Sequence, residues 1–247
     1  MGKGCHAAIT SNKKKTRVHG PVAMGACKTC HKPRIAGFVG PKHPKGAFIV
    51  PVASPKLCLG CHDQIGAERK AAFVHKPVTK VSCGFCHDPH TSSLHYLLRE
   101  NKKDRSIGGF CFGCHMNRRS FKKKFAHRPV AKKRCTSCHT GHGSSHRHLL
   151  RKKEVTLCVG CHEKGAWRGR RYLHKPIALG TCKDCHRVHG SDYPKLLVLP
   201  KEKLCAKCHK GDRVRRVHQV IAGAAKKSCY SCHDPHGSNK RYLIKDK

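Results

Sequence analysis

The chain is poor in the residues that usually build a protein core. Of its 247 residues, only 6% are aromatic and 38% are hydrophobic, which is little apolar surface for a chain of this length to bury. It also lacks an apolar run of about 18 residues, the minimum for a membrane-spanning helix. We therefore expect no transmembrane segment, and we expect something other than side chains to fill the interior.

Acidic residues are also scarce, because 13 Asp and Glu stand against 53 Lys and Arg and leave a net charge of +40. Taken alone, that charge indicates an anionic partner such as nucleic acid or a negatively charged surface. Positive charge alone does not recognise a particular base sequence, so we do not expect specific nucleic-acid binding. The stretch from Met1 to Cys5 shows no apolar region typical of an export signal. If the protein is exported, we expect that signal to have been removed or to lie upstream of the numbered start.

Cysteine, in contrast, is abundant, with 19 residues. Cysteine this dense indicates a disulfide scaffold, zinc modules or covalently attached cofactors. All but one of the cysteines fall into nine Cys-x-x-Cys-His motifs: Cys27, Cys30 and His31; Cys58, Cys61 and His62; Cys83, Cys86 and His87; Cys111, Cys114 and His115; Cys135, Cys138 and His139; Cys158, Cys161 and His162; Cys182, Cys185 and His186; Cys205, Cys208 and His209; Cys229, Cys232 and His233.

This motif is the attachment signal for c-type haem. Its two thiols can add to the two vinyl groups on one edge of the porphyrin, and the following histidine then reaches the iron as the proximal ligand. Paired Cys-x-x-Cys units can also form tetrahedral zinc sites, but zinc does not require a histidine directly after every second cysteine. Because all nine motifs have that histidine, the sequence favours nine covalent haems over zinc modules or disulfides.

Further histidines recur at fixed positions relative to the motifs. One set precedes a motif: His19, His75, His127, His174 and His218. A second set follows a motif, three residues after its histidine except for the irregular His43: His43, His90, His142, His189 and His236. These are the candidate sixth ligands, and they predict bis-histidine ligation of the iron. We expect a histidine of the second set to bind an adjacent haem. It lies only three residues after a motif histidine, and so short a segment cannot easily reach the opposite face of the haem that this motif histidine binds. His95, His146 and His148 have no counterparts in the repeat and are expected to be surface residues.

The remaining cysteine, Cys5, precedes His6 and lies in phase with the repeat. From His6 to His19 there are 13 residues, as there are from His62 to His75. Gly2 stands where the first cysteine of a motif would be. We therefore regard Cys5 and His6 as a candidate tenth haem site with a single thioether. The alternative is an exposed free thiol near a frayed end.

These patterns predict a fold that is mostly irregular coil with short α-helices, wrapped around a chain of stacked haems that form the core. Gly, Pro and Lys interrupt most segments, so we expect almost no β-structure and single-turn helices at the attachment sites. The repeat divides one continuous multihaem domain into five units: residues 1–57, with the degenerate first site and the Cys27 site, then 58–110, 111–157, 158–204 and 205–247.

The paired motifs, from His19 to His236, resemble the doubled Cys-x-x-Cys-His family of bacterial and archaeal multihaem cytochromes. They are also similar to periplasmic decahaem cytochromes that thread outer-membrane porins. The resemblance implies export to the periplasm, the outer membrane or the cell exterior, and a string of closely spaced haems. The partners it implies are other redox proteins or cytochromes, acidic or anionic surfaces, a β-barrel porin, or copies of the chain in a filament.

The predicted function is electron transfer rather than catalysis. A multihaem reductase is the alternative, and it needs one haem with an open coordination position and a pocket that activates substrate. Here all nine motifs end in histidine, and ten further histidines are available to close the irons. Methionine cannot be the general sixth ligand, because only Met24 and Met116 follow Met1.

Overall fold

The computed structural model describes residues 17–34, 47–52, 54–117, 119–162, 165, 167–210, 212–219 and 227–246. In these residues, regular structure occurs in short pieces joined by irregular chain. The α-helices are four to nine residues long and span Gly20–Ala23, Lys56–Leu59, Asp63–Glu68, Lys76–Lys80, Ile107–His115, Arg128–Ala131, Glu154–Val159, Lys175–Ala178, Lys201–Leu204, Asp212–Gln219 and Cys229–Cys232. Single 3₁₀ turns span Cys27–Thr29, Cys83–Phe85, Arg119–Phe121, Cys135–Ser137, Cys182–Asp184 and Cys205–Lys207.

The repeated His-x-Pro sequence forms the start of a helix. His19, His75, His127 and His174 are each the N-cap residue, with extended backbone, and a proline follows in the first turn. Proline suits this position because its fixed φ is helical and its missing N–H would have no partner there. The sequence therefore places each of these histidines at the junction between an extended segment and a helix.

The β-strands are two residues long and pair in antiparallel fashion. The pairs are Arg17–Val18 with Thr91–Ser92, Lys32–Pro33 with Phe48–Ile49, Phe73–Val74 with Gly143–Ser144, Phe125–Ala126 with Gly190–Ser191, and Tyr172–Leu173 with Gly237–Ser238. All except the second join the residues just before a motif-preceding histidine to the residues just after a histidine of the second set. This pairing brings together parts of the chain that are more than sixty residues apart.

The chain forms two compact units, one made of residues 1–116 and 133–151 and the other of residues 117–132 and 152–247. Among the described residues, the buried hydrophobic side chains are Leu94 and Leu204, 7% and 8% exposed. Large apolar side chains such as Phe85 and Leu179 are 58% and 66% exposed. Few of the described apolar side chains are therefore buried, as the composition predicts. No helix in the described ranges is both long and apolar enough to cross a membrane.

An unusual turn recurs in the described chain, with two consecutive non-glycine residues in the left-handed region. The pairs have φ between 52° and 61° and are Tyr96 and Leu97, His148 and Leu149, Lys195 and Leu196, and Tyr242 and Leu243. Left-handed backbone costs an L-residue roughly 1–2 kcal/mol. A strained turn repeated at the same place in successive repeats indicates that the turn has a structural task, which the site geometry identifies below.

The predicted fold class is confirmed in the described residues: short helices, two-residue strands and a majority of irregular chain. The boundaries of the five repeat units, at residues 57, 110, 157 and 204, stay a prediction.

Candidate haem-binding sites

Each Cys-x-x-Cys-His motif lies on a single helical turn. In eight of the motifs the histidine N–H donates to the carbonyl of the first cysteine at 2.9–3.0 Å, while His115 ends the helix Ile107–His115. Residues i, i+3 and i+4 share one face of such a turn. The turn therefore presents both thiols and the imidazole on the same side, which is the arrangement that attachment to one haem edge and one haem face requires.

The motif histidines face second imidazoles at a nearly constant separation. Ring centroids lie 5.9–6.2 Å apart, with ring planes within 26° of parallel, in seven pairs: His19 and His62, His31 and His90, His75 and His115, His87 and His142, His127 and His162, His174 and His209, and His186 and His236. An eighth pair, His218 and His233, has the same separation of 5.9 Å but crosses at 64°.

The pairing follows one rule in the described residues. A histidine that precedes two motifs faces the motif histidine of the second, as His75 faces His115. A histidine three residues after a motif faces the motif histidine of an earlier site, as His142 faces His87. The last motif-preceding histidine, His218, faces His233 in the one motif that follows it.

Hydrogen bonds to carbonyl oxygens fix which nitrogen of these imidazoles faces its partner. The Nδ1 of His75 donates to the carbonyl of Gly141 at 3.0 Å, and that of His127 to Val188 at 2.9 Å. Equivalent bonds hold His87, His139, His174, His186, His218 and His233. A carbonyl can only accept, so Nδ1 carries the proton and Nε2 keeps the lone pair that a metal needs. Burial also lowers the pKa of His87 and His236, which favours the neutral, metal-binding form.

The left-handed turns supply four of these carbonyl acceptors. The carbonyl of Tyr96 accepts from His87 Nδ1 at 2.6 Å, and the equivalent residues, nine positions after the motif histidine, do the same in the other three copies. A buried serine closes the loop: Ser92 donates to the carbonyl of Leu98 at 2.6 Å and accepts from the N–H of Leu94 at 3.0 Å. Ser144, Ser191 and Ser238 make the same two bonds. The strained turn thus aims a carbonyl at the motif histidine.

Thiols of successive motifs are close enough to affect one another at three places along the chain. Burial raises the pKa of the Cys58 thiol, and the neighbouring Cys83 raises it further. A hydrogen bond between Cys111 and Cys135 raises the pKa of Cys111 and lowers that of Cys135 to about 7. Cys205 and Cys229 interact in the same way as Cys58 and Cys83. Thioether formation would remove these titrations, but the proximity means that consecutive attachment sites are neighbours.

The residues present fit c-type haem. Two metal–imidazole bonds of about 2 Å each take up about 4 Å of the space between two rings, and the rest of the 5.9–6.2 Å between centroids is what two ring radii need. In the described residues, no three His, Cys, Asp or Glu side chains converge as a metal cluster. The cysteines of the nine motifs are free of disulfides. The recurring unit is two opposed imidazoles with two thiols beside one of them.

Three predicted site residues, Cys5, His6 and His43, lie outside the described residues, so the tenth haem site stays a prediction. His189 is described, and its ring centroid lies 5.1 Å from that of Phe121.

Sequence reasoning missed the serines and the left-handed turns. The signal was a constant spacing: the serine lies five residues after the motif histidine in all four copies, and the first left-handed residue nine. Such constant spacing indicates a loop that folds back and contacts the motif it follows.

Comparison with protein families identifies the repeat independently of the geometry. The model of the doubled CXXCH motif matches residues 19–67, 75–120, 127–166, 174–214 and 218–247, which is most of the chain. Each matched segment begins at one of the motif-preceding histidines, and the fifth contains a single motif. No curated protein matches the chain. The chain therefore belongs to the doubled CXXCH motif family and is a multihaem c-type cytochrome, a protein of electron transfer.

Proposed function

We propose that the chain carries a haem at each of its nine motifs, that each iron is bound by two histidines, and that the protein conducts electrons between these sites. The observation that carries the proposal is the set of opposed imidazoles with a nearly constant separation of 5.9–6.2 Å. Surface histidines without a shared task have no reason to meet at one distance in eight separate places.

The chain's own residues perform four tasks in this function. The thiols would anchor each cofactor to a helical turn, and the opposed imidazoles would be the two ligands of its iron. Backbone carbonyls hold the Nδ1 protons of eight of these histidines, so that their Nε2 atoms stay available as ligands. The short spacing between motifs keeps successive sites together. When bound, each haem supplies a one-electron Fe(III)/Fe(II) couple whose potential is set by its ligands and surroundings.

The proposed role is that of a carrier and not of a reductase. A reductase needs an iron that a substrate can reach, and eight motif histidines here already face a second imidazole. Two strong nitrogen ligands per iron leave no position for nitrite, hydroxylamine or carbon monoxide. Bis-histidine ligation without methionine also predicts low reduction potentials.

The proposed setting is extracellular or cross-envelope respiratory electron transfer. Multihaem c-type cytochromes are typically exported, and this chain belongs to them. Nine haems would add eighteen propionate charges, which leaves much of the +40 charge of the chain uncompensated. This positive charge favours acidic partners, such as another cytochrome or an anionic surface. A porin that encloses the chain and further copies in a filament are the other proposed partners.

A haemochrome assay combined with intact mass tests haem content, with nine or ten covalent haems expected. EPR and resonance Raman spectroscopy test ligation, and we expect all haems to be six-coordinate and low-spin. If the protein binds zinc and has no Soret band, it carries no haem and the whole proposal is wrong. A substantial high-spin fraction that binds carbon monoxide at native pH would instead favour the reductase. Electron microscopy of the native material distinguishes monomers, porin complexes and filaments.

A further inference from the structure

The histidines three residues after a motif have chemically different neighbours. In the compact unit of residues 1–116 and 133–151, His142 Nδ1 donates to the Glu68 carboxylate, with 3.0 Å between Nδ1 and Oε2. In the other unit, the ring centroid of His236 lies 5.8 Å from the indole of Trp167, at an interplanar angle of 46°. His142 and His236 occupy the same place in the repeat, so the difference lies in what contacts them.

Glu68 and Trp167 occupy corresponding places in their own repeats. Glu68 follows Cys58 by ten residues, Trp167 follows Cys158 by nine, and Phe121, which contacts His189, follows Cys111 by ten. Each therefore belongs to the short segment after a second motif, where the chain turns back towards the next motif-preceding histidine. This short segment thus brings a carboxylate to the histidine after a motif in one repeat and an aromatic ring to it in two others.

The contact between Glu68 and His142 is held by the backbone around it. Glu68 ends the helix Asp63–Glu68, and the backbone N–H of the next residue, Arg69, donates to the carbonyl of Ile65 at 3.0 Å while its guanidinium donates to that of Val78 at 2.8 Å. Gly143 allows the close approach, because a Cβ atom at that residue would lie 1.9 Å from the Glu68 carbonyl oxygen. The packing of the surrounding chain therefore positions the Glu68 carboxylate against His142.

A carboxylate that accepts the Nδ1 proton of a ligating histidine makes the imidazole a stronger electron donor. A stronger donor stabilises Fe(III) more than Fe(II), which lowers the reduction potential. An indole ring accepts no such bond. The carboxylate nearest in sequence to His236, that of Asp234, lies 3.7 Å from Nδ1, too far for a hydrogen bond.

We propose that Glu68 sets the potential of one haem: the site of Cys83, Cys86, His87 and His142 has a lower potential than it would have with a neutral neighbour. Trp167 gives the site of Cys182, Cys185, His186 and His236 a higher potential, and the two sites therefore differ although their ligands are identical. The half-reaction adds one electron to Fe(III) to give Fe(II), while the Nδ1 proton stays on the imidazole and no bond breaks. The inference rests on the bis-histidine ligation proposed above.

The test is Glu68→Gln in the holoprotein, measured by spectroelectrochemical titration at constant pH. We expect one haem of the nine to become easier to reduce by about tenfold in its equilibrium constant, which is about 59 mV for one electron. Glu154→Gln is the matched control, because it removes the same charge from a carboxylate whose partner is Lys183 and not a histidine. The reverse variant, Trp167→Glu, should make one other haem harder to reduce.

EPR on the same samples separates tuning from ligand loss. If Glu68→Gln leaves every haem low-spin and every potential unchanged, Glu68 has no influence on the site and the proposal is wrong. If one haem becomes high-spin, Glu68 holds His142 in place without tuning it, which also overturns the proposal. If the unaltered protein lacks six-coordinate haems, bis-histidine ligation itself fails, and this outcome is visible before any variant is made.

Discussion

Replacing one motif-preceding histidine should open one iron and leave the others closed. His174 is the most informative, because its ring lies 5.9 Å from that of His209 at an interplanar angle of 21°, and its Nδ1 donates to the carbonyl of Pro235 at 2.9 Å. His174→Ala removes the imidazole and keeps the backbone N–H that donates to His236. The site of Cys205 and Cys208 then loses its sixth ligand, while its thiols and proximal histidine remain.

The expected magnitude follows from the number of motifs. One of nine haems, about 11% of the total, should become high-spin in EPR and resonance Raman spectra. Carbon monoxide should bind to the reduced variant at about one molecule per chain and to the unaltered protein at none. Haem content should stay unchanged, because both thioether bonds of the site are intact.

The matched control is His95→Ala. His95 is exposed, its Nε2 pairs with the Arg17 guanidinium at 2.8 Å, and it faces no motif histidine. All nine haems should remain low-spin in this variant. The pairing rule is refuted if His174→Ala leaves every haem low-spin, if it opens two or more, or if His95→Ala has the same effect.

Three further outcomes follow from the same geometry. Because the rings of His218 and His233 cross at 64°, their haem should give a strongly anisotropic low-spin EPR signal that His218→Ala abolishes, and a purely rhombic spectrum would contradict the crossed geometry. Ser92→Ala should cost about 1–3 kcal/mol in chemical unfolding, since it removes the partner of the buried Leu94 N–H and of the Leu98 carbonyl, whereas the exposed Ser145→Ala should cost almost nothing. Tyr96→Gly should stabilise the protein by up to about 1 kcal/mol, because Tyr96 has a φ of 61° and is 71% exposed, and a clear loss of stability would show that its side chain matters.

Much of the site could be predicted because its chemistry is local. A motif such as Cys83 to His87 needs one helical turn and nothing from the rest of the chain, so its spacing alone indicates the attachment of haem. The helix starts at His75 and His174 could be predicted for a similar reason, because proline marks the first turn. A missing core could also be predicted, because too few large apolar residues are present to build one.

The pairing of ligands could not be predicted, because it depends on contacts between distant segments. His75 and His142 are brought together by the two-residue strands Phe73–Val74 and Gly143–Ser144, and the His75 N–H donates to the carbonyl of His142 at 2.8 Å. Strands this short carry no periodicity that a sequence can reveal. The side chain beside each histidine after a motif could not be predicted either. It is a carboxylate for His142 and an indole for His236, so no shared residue type marks the position.

The strained turns show how a protein with little core can still hold its ligands firmly. A left-handed pair such as Lys195 and Leu196 costs roughly 1–2 kcal/mol per residue, and a chain selected only for its own stability would place glycine or asparagine there. In return, the Lys195 carbonyl lies 2.9 Å from His186 Nδ1, and Ser191, 3% exposed, closes the loop on Leu197. Each bond lies within a dozen residues of its motif, so every such site carries its own support. Orientation of the proximal imidazole then depends on a local loop and not on a packed interior, and this is how one repeat can be used again along a chain whose interior is built from cofactors.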